Sequence, residues 1–208
     1  MRPTLLDRDR AYAEWAATYP PHAHNALMEA EESALLALLP PLDGLRALDA
    51  GCGSGRYVRA LLARGVRQVV ALDLSEPMLT RARASVSGLV RGDMSSLPLC
   101  DMSVDLVVSG LAIPDVADLD VVAREWRRVL RPNGLVVYST LHPIGATQGW
   151  ARTFETRRGR YEIPAYWHTP ERHRQACESA GLRIETVAEP TLDETGPVAL
   201  VVRARRDS

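Results

Sequence analysis

The run Asp49-Ala50-Gly51-Cys52-Gly53-Ser54-Gly55 constrains the fold of this chain more than any other stretch. A short apolar segment, Arg46–Ala50, leads into it, and an amphipathic one, Gly55–Arg64, leaves it and stops at Gly65. A strand entering and a helix leaving make half of a βαβ unit, with glycines that let the backbone turn sharply and approach a ligand closely. The alternation continues. Gln68–Leu74 reads as a strand, Glu76–Ala84 as a helix with Pro77 in its first turn, and Leu89–Arg91 and Val104–Ser109 as strands. Asp118–Leu130 then reads as a helix and Leu135–Thr140, after the Asn133-Gly134 turn, as a fifth strand. Strands alternating with helices predict an α/β fold whose parallel sheet is covered on both faces.

The flanks differ from this core. Residues 5–23 hold Tyr12, Trp15 and Tyr19 and suit a short helix laid over the body. Leu27, Ala30, Ala34, Leu35 and Leu38 recur at helical spacing from Asn25 to Leu39, before Pro40-Pro41 ends the helix. After Thr140 the alternation lapses. Residues 141–169 are rich in aromatics, Gly, Pro and Arg, which in a compact domain marks a lid or binding loop. Thr169 then caps a helix to Ser179, and Arg183–Glu189 and Val198–Arg203 supply two last strands. The expected organisation is one domain over 1–208. It comprises an N-terminal helical arm (1–40), a ligand-binding core (45–140), the lid (141–169) and a C-terminal helix with two strands (170–208).

The spacing of the glycines discriminates between ligands. A dinucleotide site of the G-x-G-x-x-G type needs a third glycine where this chain has Arg56. Asp49, two residues before the first glycine, would oppose a pyrophosphate and suits a cationic ligand with an amino group. The combination favours S-adenosylmethionine over NAD. Asp73 ends the second strand, where a carboxylate accepts from both ribose hydroxyls; it could instead cap the next helix, although Ser75 is better placed for that. In Arg91-Gly92-Asp93-Met94, Asp93 is placed to accept from an adenine amino group, with Met94 and Leu74 as apolar plates. A plain turn is the other reading.

Taken together, Leu48–Gly55, Ala71–Met78, Arg91–Pro98, Val104–Ser109 and Glu125–Gly134 resemble the motifs of class I S-adenosylmethionine-dependent methyltransferases of the type-11 group, relatives of ubiquinone and menaquinone methyltransferases. They stand in that family's order and spacing over about residues 45 to 140. The resemblance implies a Rossmann-like seven-stranded sheet of order 3-2-1-4-5-7-6 with strand seven antiparallel. It also implies that Asp49 lies beside the methionine end of the cofactor, with Gly51 and Gly53 under it and Asp73 on the ribose. Met78 would pack near ribose and adenine, Ser109-Gly110-Leu111 would flank the reactive methyl, and Tyr12 would close over the carboxylate end. One departure stands out: relatives often carry histidine where this chain reads Leu111-Ala-Ile-Pro-Asp115, so no role for it carries over, and Asp115 either does other work or, the favoured reading, is a turn residue.

Methyl transfer from a sulfonium is an in-line displacement that needs a base only if the nucleophile arrives protonated. The acceptor belongs beyond the carboxyl ends of the strands, under the lid. Tyr19, Trp150, Tyr161, Tyr166 and Trp167 are candidates for its wall, or simply pack the flap onto the sheet. His142 is the first candidate for a base, followed by His168 and by His22 or His24. Arg152, Arg157, Arg158 and Arg160 form either a solvated face or a site for an acceptor bearing carboxylate or phosphate, or one tethered to an acidic carrier protein. The leading expectation is methyl transfer to a small molecule, quinone-type or a specialised metabolite. The alternatives are a cyclisation or rearrangement in the aromatic cavity, or a non-catalytic binding module.

Charge and cysteines bound the rest. The formal net charge is −1 and all 25 basic residues are arginine, so no basic surplus points to nucleic acid. No stretch approaches the ~18 apolar residues of a membrane span, and Met1–Arg10 lacks the apolar core of a secretory signal. Cys52, Cys100 and Cys177 are too scattered for a disulfide framework or zinc, so no metal is expected and a cytoplasmic setting is the default. Monomer and homodimer are both compatible with this reading.

Overall fold

A computed structural model of the chain describes residues 2–83, 88–192 and 196–208. In chain order the elements are β1 (Thr4–Leu5), α1 (Arg8–Ala16), α2 (Ala26–Ala37), β2 (Arg46–Ala50), α3 (Arg56–Ala63), β3 (Gln68–Asp73), α4 (Glu76–Ala82), β4 (Leu89–Arg91) and β5 (Val104–Ser109). A single 3-10 turn (Ile113–Asp115) precedes α5 (Leu119–Val129), β6 (Leu130–Leu141) and the four-residue α6 (Ile144–Thr147). Then come β7 (Arg152–Thr156), β8 (Gly159–Ile163), α7 (Pro170–Ser179), β9 (Leu182–Ala188) and β10 (Ala199–Arg206). The expected helix over 76–84 ends at Ala82, and its last position, Ala84, lies outside the described residues.

Side-chain caps start several helices. Asn25, Asp118 and Thr169 each accept from backbone N–H groups of the first turn, and Ser75, rather than Asp73, caps α4 through the Met78 N–H. Packing holds them. The stripe Leu119, Val122, Ala123, Trp126 and Val129 of α5 is entirely buried. At ~1.5–3 kcal/mol for each large apolar side chain, that outweighs the weak helix propensity of its valines, aspartate and tryptophan.

The main sheet has seven strands in the order β4-β3-β2-β5-β6-β10-β9. The first five run parallel, and β10 is antiparallel to both β6 and β9. This is the expected order, with β10 as the antiparallel seventh strand. Side chains of α5 and α7 build a core on one face with Trp126 and Tyr138. Those of α2, α3 and α4 build the other with Leu35, Tyr57, Leu61 and Leu79. Strand order reverses between β2 and β5, which opens a crevice at their carboxyl ends, the place where open α/β sheets bind ligands.

The lid is more regular than its composition suggests. Instead of a loop, β7 and β8 form an antiparallel hairpin, and β1 adds to β8 in parallel through Thr4↔Tyr161 and Leu5↔Glu162. The turn at Arg157-Arg158-Gly159 permits this, with Gly159 at φ 152°. Phe154 and Ile163 on the hairpin bury against Ala11, and Trp15 stacks on Phe154 at 4.8 Å, so lid and arm form one flap.

Away from the crevice, His173 of α7 is buried, sharing a 3.1 Å hydrogen bond with Tyr138 Oη through Nδ1 while its Nε2 has no partner. Burial first, then the nearby His168 and Arg172, lowers its pKa from 6.5 to about 3. The unfolded chain therefore binds this proton more readily. Stability is complete above about pH 6.5 and falls toward pH 3, by up to ~1.4 kcal/mol per pH unit. Thermal melts at pH 7.5 and 5 should show this loss in the wild type and a shallower one in His173→Gln; equal slopes would refute it.

Candidate active site

Under the flap lies a cavity of about 1180 Å³, bounded by the ends of β2, β3 and β5 and by the arm and hairpin. That exceeds the ~300–1,000 Å³ of a typical small-ligand pocket. It leaves space for a second molecule beside one of nucleoside size.

One side is built by the glycine turn. Gly51 has φ 79° and donates to Leu72 O, and a Cβ there would stand 2.5 Å from Ala112 Cβ. Gly53 has φ 53° and lines the cavity, and a Cβ there would meet nothing within 4 Å. Its N–H donates to Asp73 Oδ2 at 2.7 Å, and Ser75 N–H donates to Asp73 Oδ1 at 2.8 Å. Burial raises the Asp73 pKa and these backbone bonds hold it down in part. Leu74, Met78 and Met94 line the same side; Met78 is buried, whereas Leu74 is left 44% exposed with no protein over it. Asp93 lines the cavity too, with Oδ1 accepting from Ser95 N at 2.8 Å.

Asp49 sits beneath this turn, 1% exposed, and neither carboxylate oxygen has a hydrogen-bond partner. Burial chiefly raises its pKa to about 7, with Arg56 opposing and Asp73 adding to the rise. A buried carboxylate without a side-chain partner is costly, and Asp49 lies behind Gly51 and Gly53, which line the cavity where it does not. The uncovered Leu74 and the acceptor Asp73 fit the base and ribose of a nucleoside. The residues present therefore fit the expected donor.

The opposite wall is ionic. Asp115 accepts from Tyr12 Oη at 2.5 Å and from Arg152 at 2.8 Å and 3.2 Å, while Arg152 also donates to Tyr12 Oη at 2.7 Å. Arg8 Nε stands 3.3 Å from the same carboxylate. This cluster joins α1, the turn after β5 and the hairpin, and all four residues line the cavity. Burial pushes the Tyr12 phenol above its usual range, so it stays a donor. Asp115 is thus no mere turn residue: it is the acceptor that pins the flap. Arg8 went unnoticed in the sequence, and Arg152 looked like one of a solvated run. Arg157, Arg158 and Arg160 are exposed, as that reading expects.

Other sequence candidates divide by position. Tyr19, Trp150 and Trp167 line the cavity with Tyr12, and so does His24, whose ring meets Tyr19 edge-on at 5.5 Å. His142 and His168 do not. His142 lies beyond β6 with Nε2 3.4 Å from Glu189 Oε1, and His168 Nε2 donates to Val116 O at 2.7 Å. Tyr161 packs on Phe154, and Tyr166 stands 45% exposed beneath the Arg8 guanidinium. Ser109 is buried behind the wall, donating to Ala50 O at 2.7 Å. Among the described residues no cluster of metal-ligating side chains occurs, and no helix is long and apolar enough to cross a membrane.

Residues 48–138 match the family described as methyltransferase domain, type 11. The chain is 38% identical over 135 residues to malonyl-[acyl-carrier protein] O-methyltransferase of Pectobacterium atrosepticum, covering 62% of this chain and 53% of that protein. It is 33% identical over 181 residues to the protein of the same name from Serratia marcescens, covering 86% and 68%. The chain spans about half the length of several such curated relatives. The crystal structure of an S-adenosylmethionine-dependent methyltransferase from Mesorhizobium loti superposes with a TM-score of 0.72 at 33% identity, covering 85% of this chain and 98% of that one.

Proposed function

The chain belongs to the S-adenosylmethionine-dependent methyltransferases of the type-11 group, and on that premise we propose that it methylates a carboxylate oxygen of a small acyl acceptor, one presented as a carrier-protein thioester. Bound S-adenosylmethionine supplies an electrophilic methyl group. In this reading Asp73 holds the ribose, Asp49 the ammonium, Asp93 the adenine amino group, and Leu74, Met78 and Met94 the base, with Gly51 and Gly53 beneath and Tyr12 closing the end.

The acceptor chemistry rests on the ionic wall. Two guanidiniums, Arg8 and Arg152, meet there on one carboxylate, Asp115, so this cluster by itself carries one positive charge more than it neutralises, while Asp9 and Asp118 line the cavity as well. Arg152 donates to Asp115, Tyr12 and Pro164 O through its two terminal nitrogens, whereas Arg8 makes one ionic contact, Nε to Asp115, beside its place over the Tyr166 ring. An anionic acceptor fits this wall better than a neutral quinone. A carboxylate also arrives ionised, so it needs no general base, in keeping with the positions of His142 and His168. The names of the relatives point the same way.

The purified protein should release S-adenosylhomocysteine and form a methyl ester when given S-adenosylmethionine with malonyl-coenzyme A or malonyl-carrier protein, read by mass spectrometry. Arg8→Ala should raise KM for that thioester about tenfold, one charge-assisted contact at ~1.4 kcal/mol, with little change in cofactor affinity. Methylation of a phenol or amine but of no carboxylate would reject the proposal.

Asp49 adds a pH dependence. Its carboxyl ionises near pH 7 without a partner, and only the ionised form attracts an ammonium. S-adenosylhomocysteine affinity should therefore weaken below pH 7, by up to about tenfold per unit, and level off above it. Calorimetry from pH 6 to 8 checks this, and Asp49→Asn should flatten the curve.

A further inference from the structure

The loop after β5 adopts a conformation that its own residues do not favour. Leu111 has φ 55°, a left-handed value that side chains with a Cβ rarely take. Its N–H donates to Ser139 Oγ at 2.9 Å. Ser139, buried in β6, in turn donates to Glu31 Oε1 at 2.5 Å. The same oxygen accepts from Tyr57 Oη at 2.6 Å, and Glu31 Oε2 accepts from Arg56 at 2.9 Å. Glu31 comes from the N-terminal arm and is fully buried, 0% exposed. One carboxylate thus ties α2, the first helical residues after the glycine turn, and the loop that forms the facing wall at Gly110, Leu111 and Ala112.

The direction of the chain of bonds matters. A serine hydroxyl has one proton and two lone pairs. Because a carboxylate only accepts, the Ser139 O–H points at Glu31 and its lone pairs face away, one of them toward the Leu111 N–H. A group able to donate at that position would no longer fix the hydroxyl proton on the Glu31 side, so the proton could turn toward the Leu111 N–H and displace it. Tyr57 reinforces the arrangement, since its ring packs directly against Gly110.

We propose that Glu31 is a positioning residue for methyl transfer: by fixing the polarity of Ser139 it holds Leu111 in its left-handed bend and sets the 110–112 wall against the glycine turn. Only the kinetic arm of the test rests on the carboxylate-methylation reading. Glu31→Gln offers Ser139 a donor as well as an acceptor, but it weakens the contact to Arg56 and can unfold the arm. Ser139→Ala, which leaves the Glu31–Arg56 pair intact, is therefore made beside it, with Ser139→Thr as the conservative restoration of the hydroxyl.

Amide hydrogen exchange at Leu111 should accelerate at least tenfold in Glu31→Gln and Ser139→Ala. With malonyl-coenzyme A as probe, kcat should fall at least tenfold while KM changes less than threefold. Ser139→Thr should return both readouts to within threefold of the wild type. Unchanged Leu111 exchange in Ser139→Ala overturns the proposal, as does a loss of kcat that Ser139→Thr fails to restore. If the wild type shows no turnover with the thioester, the acceptor reading fails on its own, and the exchange measurement still decides the role of Glu31.

Discussion

Asp73→Ala is expected to weaken S-adenosylhomocysteine binding on the order of 100-fold, measured by titration calorimetry. A carboxylate offers about four acceptor sites. The N–H groups of Gly53 and Ser75 take one on each oxygen, and the second site of each remains for a ribose hydroxyl. Charge-assisted bonds of this kind contribute ~1.5–3 kcal/mol. Losing the pair, without full additivity, costs about 3 kcal/mol, or roughly 100-fold at 1.4 kcal/mol per decade. The alanine variant also strips the acceptor from the Gly53 N–H, which loosens the turn itself. Asp73→Asn separates the two effects, because it keeps one acceptor for the turn while removing the charge, and its loss should be smaller. Affinity within threefold of the wild type in Asp73→Ala would remove Asp73 from the site.

The sheet was legible because its strands are short, apolar and punctuated by glycine, and because most of the helices follow a side-chain cap or a proline, α3 after Gly55 excepted. The order of the strands came from the linked motifs rather than from periodicity. The hairpin of β7 and β8 escaped notice for a physical reason: Arg152-Thr-Phe-Glu-Thr and Gly-Arg-Tyr-Glu-Ile bury only Phe154 and Ile163, so their alternation is thin. The ionic wall was harder still. Arg8, Asp115 and Arg152 are far apart in the chain, and each looks like a surface residue until the flap folds over. Glu31 did carry a signal. It stands four residues after Leu27 and four before Leu35, on the stripe of α2 that faces the core. A carboxylate at such a position has to find donors inside.

Gly110→Ala should carry the largest cost to the fold. A Cβ at this position would lie 1.9 Å from Tyr57 Cε2 and 2.5 Å from Cδ2, well inside contact distance. The ring cannot swing aside freely. Its hydroxyl is held by Glu31 at 2.6 Å, and the Arg56 guanidinium lies 4.4 Å from its centroid. Overpacking of a rigid core costs ~1–3 kcal/mol and sometimes more, which for a domain of this size lowers Tm by about 2–4 °C per kcal/mol. A drop of roughly 4–10 °C is the expected result. The displaced loop also carries Leu111 and Ala112 toward the cavity, so S-adenosylhomocysteine affinity should fall with it. Adding Tyr57→Ala to Gly110→Ala creates the missing space and should restore part of that affinity, whereas Tyr57→Phe, which keeps the ring, should restore none. A Gly110→Ala protein that melts within 1 °C of the wild type and binds normally would show that the ring and the loop are not in the contact described.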